Sequence, residues 1–429
     1  MSGWKATSCG EPQAEERILV VCTRYIGDTV LAIPFLRNLR RAFPNATIDI
    51  CAEGAAREVL SDCPYVDRFA TWKRPAGRRS LAASLASIRS QAAWLARRRY
   101  SRVYLLKRSL SAGLLAALAG IPKRIGLKGD GSFFHTRSVA VPRGRHQADR
   151  YLDLLRTEGI TVDDGHAENW TAADARQRVA GLLARLPVDR PRVFVAVRST
   201  DAKKHWPTQR WAAIVEWLVE RRGTEVILCG GRGDIPAHEA LRTEVGHDVA
   251  AHVHDFTRDL SLREAGALTA EMDACVGVDT GLVHTAASHG VPVAVLFGPT
   301  NPNQWSPWTA RAVVVRSSHV RQSLADKLAA WRSSRPTAWP FGQASMDDIG
   351  VEDVAIAIAS LLPEHTTART PAITPEPVAA PAAAAAPAAV QAPTPLRTLD
   401  LREGSFRYEV VARDAAAALP ATKPLAQAH

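Results

Sequence analysis

Short apolar runs of strand length alternate with helical patterns along most of this chain, and they do so in two separate series. In the first, RILVVCT (17–23), PNATIDICA (44–52), VDRFATW (66–72) and SRVYLLK (101–107) read as strands. Helical segments fall between and after them, at 29–43, 56–62, around Leu81–Arg98, at 109–120 and at 146–160. In the second series, RVFVAV (192–197), EVILCGG (225–231), DACVGV (273–278) and PVAVLFG (292–298) are the strands. Helices are expected from Trp211 to Arg222, closed by Gly223, and over 351–362. Another begins at Ser261, whose spacing to Glu264 is that of a capping box. Strands that are apolar on both faces and alternate with helices specify buried parallel sheets with right-handed crossovers. The fold class is therefore α/β with two doubly wound units.

The length, 429 residues, suits two domains and an extension. The expected boundaries are 15–165 for the first unit and 170–365 for the second, with the polar stretch DDGHAENW (163–170) as linker. Residues 366–429 form a low-complexity tail, rich in Ala and Pro up to about Pro395, with too few large apolar side chains to offset ordering entropy. Disorder is expected there, although LRTLDLREGSFRYEVVARD (396–414) has some strand character.

The net charge of +11 and a pI near 9.7 favour an anionic partner, such as a nucleotide, a phosphorylated lipid or a membrane surface. The arginines of WLARRRYSR (94–102) lack interleaved aromatics, which is weak support for nucleic acid; they could equally face anionic lipid. The six cysteines include no C-x-x-C pair and several sit in strand-like runs, which reads as buried reduced thiols. The N-terminal stretch has no apolar signal core, and no run of 18 apolar residues occurs, so a cytoplasmic location is expected.

Chemistry concentrates in three loops. VGVDTGLVHTAASHGVPVAVLFGPTNP (276–302) ends one strand in Asp279-Thr280-Gly281, starts a helix carrying His284, and ends the next strand in Gly298-Pro299-Thr300. Ligands bind at the carboxyl ends of parallel strands, and the free N–H groups of Thr280, Gly281 and their successors suit a phosphate. RSTDAKKHWPTQRW (198–211) crowds Arg198, Lys203 and Lys204 onto another strand end, where a lysine could neutralise a diphosphate, and the rigid His205-Trp206-Pro207 would fix its position. TRYIGDTVLAIPFL (23–36) places Asp28 after Gly27 where a strand gives way to a helix; from its position alone it is a helix cap or a catalytic acid. Gly27 and Thr29 flank it as further candidates. Pro34 should bend the helix or sit near its first turn. No G-x-G-x-x-G, phosphate-binding G-x-x-x-x-G-K-[ST] or H-E-x-x-H motif occurs. His247, His252 and His254 read as scattered surface residues.

Together, RYIGDTVLAIPFLRNLRRAFPNATIDI, KKHWP and DTGLVHTAASHGVPVAVLFGPTNP resemble glycosyltransferase family 9, the ADP-heptose:lipopolysaccharide heptosyltransferases, over roughly Arg17 to Leu362. The resemblance implies two Rossmann-like domains facing across a cleft, the GT-B type. It implies an inverting displacement with Asp28 as general base. Lys204 would bind the donor diphosphate, and Lys203 is the alternative. Asp279, Thr280, Gly281 and His284 would hold the donor, with Gly298, Pro299 and Thr300 lining the same pocket. The donor would be ADP-linked heptose, the acceptor a lipopolysaccharide-core or other lipid-linked glycan met at the inner face of the membrane, with no nucleic acid partner. Neither cofactor nor metal is expected. Two other readings compete: a nucleotide-sugar epimerase or hydrolase on the same scaffold, and a non-catalytic sensor.

Overall fold

The computed structural model describes residues 16–362 apart from 24, 53, 71–80, 143 and 317–344, together with two strands at 397–403 and 406–412. The Ala/Pro-rich stretch 366–395 lies outside the described residues.

The first sheet contains β1 (Arg17–Val21), β2 (Thr47–Cys51), β3 (Arg68–Ala70), β4 (Arg102–Leu105), β5 (Lys123–Leu127) and β6 (Arg137–Val139), in the spatial order β3-β2-β1-β4-β5-β6. All its pairings are parallel. Along β1, Ile18 and Val20 enter one helix layer and Leu19 and Val21 the other, which is why the run is apolar at every position. Helices Ile33–Ala42 and Gln147–Arg156 cover the first face, and Leu110–Leu118 the second.

The second sheet repeats the plan. β7 (Arg192–Ala196), β8 (Glu225–Leu228), β9 (Val253–Asp255), β10 (Ala274–Val278), β11 (Val293–Phe297) and β12 (Ala312–Arg316) run parallel in the order β12-β11-β10-β7-β8-β9. Val193 and Val195 face helices Thr208–Arg222 and Val351–Ala359, while Phe194 and Ala196 face Ala173–Leu183, Leu262–Ala270 and Gly281–Ser288. In both sheets the strand order reverses beside the first strand, between β1 and β4 and between β7 and β10. Those switch points are where open α/β sheets take ligands.

Within the tail, β13 (Arg397–Glu403) and β14 (Phe406–Ala412) pair antiparallel, and β14 adds antiparallel to the β12 edge through Val313–Ala412 and Val314–Val411. These two strands fall in 396–414, the part of the tail whose sequence has strand character.

Other expectations shift in detail. The single helix at 29–43 is two, Ile26–Val30 and Ile33–Ala42, with Pro34 in the first turn of the second, where a missing N–H costs nothing. Strands β5, β6, β9 and β12 were not anticipated; β6 and β9 are 3 residues each, too short for a period to register. The Ser261–Glu264 capping box and the Gly223 helix end are both present.

The polar linker is held to the first domain. Arg37, buried in helix Ile33–Ala42, donates from Nη2 to Asp164 Oδ1 at 2.9 Å and to the His166 carbonyl at 2.6 Å, and also pairs with Glu168. Glu168 accepts a further bond from Tyr65 Oη at 2.9 Å. The domains also join elsewhere: Arg263 makes a two-pronged pair with Asp62 at 2.9 and 3.1 Å, and Trp308 packs into the first core while its Nε1 donates to the Gly165 carbonyl.

Candidate active site

The loop after β7 turns through a short 3-10 segment, Ala202–Lys204, begun by the Asp201 carboxylate accepting from Lys203 N at 3.1 Å. His205 Nε2 bonds the Ser199 carbonyl at 2.7 Å, and buried Trp206 donates from Nε1 to the Ile349 carbonyl at 3.1 Å. These ties give the loop one shape. They send Lys204 inward, where Nζ meets Asp279 Oδ2 at 2.7 Å, while Lys203 is exposed. Arg198 instead lines a cavity with His205, Trp206 and Trp211.

The loop after β10 provides the partner. Asp279 is buried, and its Oδ2 also accepts from Thr300 Oγ1 at 3.0 Å, which joins the loop after β11 to the cluster. Its Oδ1 lies 3.4 Å from His284 Nε2, one turn into helix Gly281–Ser288. Burial works to raise the Asp279 pKa, but the His284 hydrogen bond and the Lys204 ammonium overcome it and hold the carboxyl down at about 2. Thr280 is the N-cap of that helix, and its side chain makes no cap bond. The first N–H groups of the helix, beginning at Gly281, have no partner within the helix. Gly298 and Pro299 carry the chain from β11 to Thr300.

The first domain meets this cluster through helix Ile26–Val30. A β-carbon on Gly281 would sit 2.6 Å from Ile26 Cγ2, so glycine is what allows the two helix starts to approach. A β-carbon on Gly27 would lie 3.0 Å from His284 Cδ2. Asp28 is thereby brought within electrostatic reach of His284, Asp279 and Lys204. Burial, the largest influence, pushes its pKa up to about 6, against the lowering effect of His284; Asp279 adds to the rise and Lys204 opposes it. Their surroundings thus push the two neighbouring carboxyls in opposite directions, Asp28 up and Asp279 down. Thr29 does not join them: it is buried, and its hydroxyl donates to the Tyr25 carbonyl at 2.8 Å.

Sequence reasoning missed Ile26, whose contact with Gly281 exists only once two domains meet. It also misjudged the histidines. His252 and His254 are not scattered but converge on buried Glu225, at 2.9 and 2.6 Å, with Arg190 beside it, at the end of the sheet away from the ligand loops. His252 and His254, 27 and 29 residues from Glu225, reach its carboxylate because β8 and β9 are neighbours.

Two doubly wound domains that present their switch points to each other define the two-domain α/β class of GT-B type. Solved structures of this class superpose on the chain. The E. coli ADP-heptose lps heptosyltransferase II matches with a TM-score of 0.64 at 22% identity, covering 80% of this chain and 98% of that one. A glycosyl transferase family 9 protein from Veillonella parvula DSM 2008 matches with 0.68 at 21% identity, covering 82% and 99%. In sequence, lipopolysaccharide heptosyltransferase 2 of Escherichia coli K12 is 27% identical over 310 residues, 70% of this chain and 88% of that protein. Residues 88–329 match the family described as glycosyltransferase family 9 (heptosyltransferase). The chain belongs to that family and is a glycosyltransferase.

Proposed function

We propose that this enzyme transfers heptose from an ADP-linked donor to a lipopolysaccharide-core or related lipid-linked glycan in a single inverting displacement, with Asp28 as general base. The observation that carries the proposal is the cluster formed by Lys204, Asp279, Thr300 and His284, set opposite the poised Asp28 carboxyl across the domain boundary.

The donor diphosphate would lie on the N-terminus of helix Gly281–Ser288, where unpaired N–H groups and the helix dipole favour negative charge. Lys204 would add a full positive charge as the diphosphate leaves, while Asp279 keeps that lysine in place. His284, Thr280 and the Gly298-Pro299-Thr300 loop would shape the sugar end of the pocket. The acceptor hydroxyl oxygen attacks the anomeric carbon, the bond from that carbon to the diphosphate oxygen breaks on the opposite face, and the hydroxyl proton passes to an Asp28 oxygen. A base so placed contributes on the order of a hundred- to ten-thousand-fold. No cofactor or metal enters this scheme. Among the described residues no helix is long and apolar enough to cross a membrane, and the proposal places the enzyme in the cytoplasm, meeting its acceptor at the membrane's inner face.

Thermal-shift measurements with ADP, UDP, GDP and ADP-heptose test the donor assignment, because a ligand that binds only the folded state raises the melting temperature by mass action. ADP and ADP-heptose should stabilise the protein and UDP and GDP should not. Equal shifts from all the nucleotides would remove the donor assignment. Rapid consumption of ADP-heptose with no acceptor present would favour the epimerase or hydrolase reading.

A further inference from the structure

The loops at the C-terminal ends of β4 and β5 form a projecting tip that the displacement chemistry does not use. Gly129 and Gly131 run directly against Arg108, Ser109 and Leu110: a β-carbon on Gly131 would lie 2.9 Å from the Ser109 carbonyl carbon. The tip is braced internally. Ser132 Oγ accepts from Gly129 N at 3.3 Å, and Ser132–Phe134 close a 3-10 turn. This braced turn holds Phe133 outward with 92% of its surface exposed, stacked edge-on against Phe134 at 5.4 Å. Leu110, the first residue of helix Leu110–Leu118, is 61% exposed. Arg108 and Lys128 flank the pair and are exposed; Asp130 is the acid in the same loop. Lys107 precedes them, partly buried.

We propose that this tip docks the enzyme on an anionic lipid bilayer, with Phe133 and Leu110 entering the acyl boundary and Arg108 and Lys128 meeting the headgroups. An exposed apolar tip braced by its own hydrogen bonds, with Arg108 and Lys128 beside it and a single acid, Asp130, in a chain of net charge +11, is complementary to such a surface. The position fits the proposed reaction, on which this inference builds. Leu106 N donates to the Val21 carbonyl at 3.0 Å, so the end of β4 adjoins the end of β1, from which the Asp28 loop departs. Docking at the tip therefore sets the C-terminal end of the first sheet, from which the Asp28 segment departs, beside the membrane, where a lipid-anchored acceptor is presented.

Cosedimentation of the full chain with phosphatidylcholine vesicles containing 30–40% phosphatidylglycerol, compared with pure phosphatidylcholine, tests the docking. The full chain should bind the anionic vesicles and lose most of that binding at high salt. Phe133→Ser should weaken it about tenfold, and Arg108→Gln with Lys128→Gln by about fivefold for each charge removed. All three positions are exposed, so melting temperatures should be unchanged. Transfer to a lipid-free glycan acceptor should also be unchanged. Failure of the full chain to bind, or equal binding by Phe133→Ser, overturns the proposal. So does a Phe133→Ser variant that loses transfer to the lipid-free acceptor, because the tip is then part of the glycan site. Vesicle binding is read without donor or turnover, so a wrong assignment of the reaction leaves this result standing.

Discussion

His284 of the second domain rests against Gly27 of the first so closely that a methyl group at residue 27 would lie 3.0 Å from the imidazole Cδ2. The neighbouring contact is tighter, with Gly281 seated on Ile26. Neither glycine has a positive φ, so the demand comes from packing between domains and not from backbone strain. Gly281→Ala should hold the two helix starts apart and lower transfer at least tenfold, because small misplacements of reacting groups are costly. Each domain keeps its own core, so far-UV circular dichroism should not change. Gly27→Ala, where the imidazole has only to give by a few tenths of an ångström, should cost less. Transfer rates of the two variants check this ordering.

Asp28 carries a pH signature. Its pKa in the fold, about 6, lies above the ordinary carboxylate value of 3.8, chiefly through burial. The folded state thus holds this proton more tightly than the unfolded state. The associated stabilisation is present below pH 4 and is lost as pH rises through 6. Above pH 6 the ionised, partly desolvated carboxylate is a net cost. Asp28→Asn should therefore raise stability at pH 7.5 by about 1–2 kcal/mol, measured by urea unfolding. In the native enzyme, kcat/KM should rise with pH through about 6 and then level off.

The two adjacent lysines should behave differently. Lys204 reaches Asp279 at 2.7 Å, whereas Lys203 is exposed. Lys204→Met should weaken ADP binding about tenfold to a hundredfold, the range for a hydrogen bond to a charged group. Lys203→Met should change it by no more than about twofold. Isothermal titration with ADP separates the two.

Arg37 anchors the connection between domains. It is 2% exposed and pairs with Asp164 and Glu168. Arg37→Met should destabilise the first domain by about 3 kcal/mol, since it strands partly buried carboxylates. Burial alone would raise the Asp164 pKa, yet the His166 hydrogen bond and the Arg37 charge bring it to about 2. A depressed carboxylate contributes stability above its unfolded pKa and loses it as pH falls toward the folded one. The gap between wild type and variant should therefore shrink between pH 4 and pH 2, as thermal melts across that range will show.

What could be read in advance followed from local chemistry. The apolar runs of β1, β7, β10 and β11 announce themselves because both faces are buried, and the Ser261–Glu264 box because its spacing is itself the interaction. Asp279 and Lys204 were legible as residues following strand ends and His284 as one turn into the next helix; their convergence across the 75 residues between Lys204 and Asp279 is a product of β7 lying beside β10. Which lysine points inward was decided by His205 and Trp206, whose partners Ser199 and Ile349 no local pattern reveals. The Glu225 histidine pair was illegible for the same reason. The buried role of Arg37 was hidden because an arginine on an amphipathic helix ordinarily faces solvent.

The central claim is that Asp28 accepts the acceptor's proton. Its most direct test is steady-state transfer by Asp28→Asn, with ADP-heptose and a lipopolysaccharide-core acceptor at pH 7.5, alongside the affinity of the same variant for ADP. The variant's kcat should fall by at least about a hundredfold, with ADP affinity within about threefold of the native enzyme. Turnover retained within tenfold, on a variant that binds ADP normally, would contradict it.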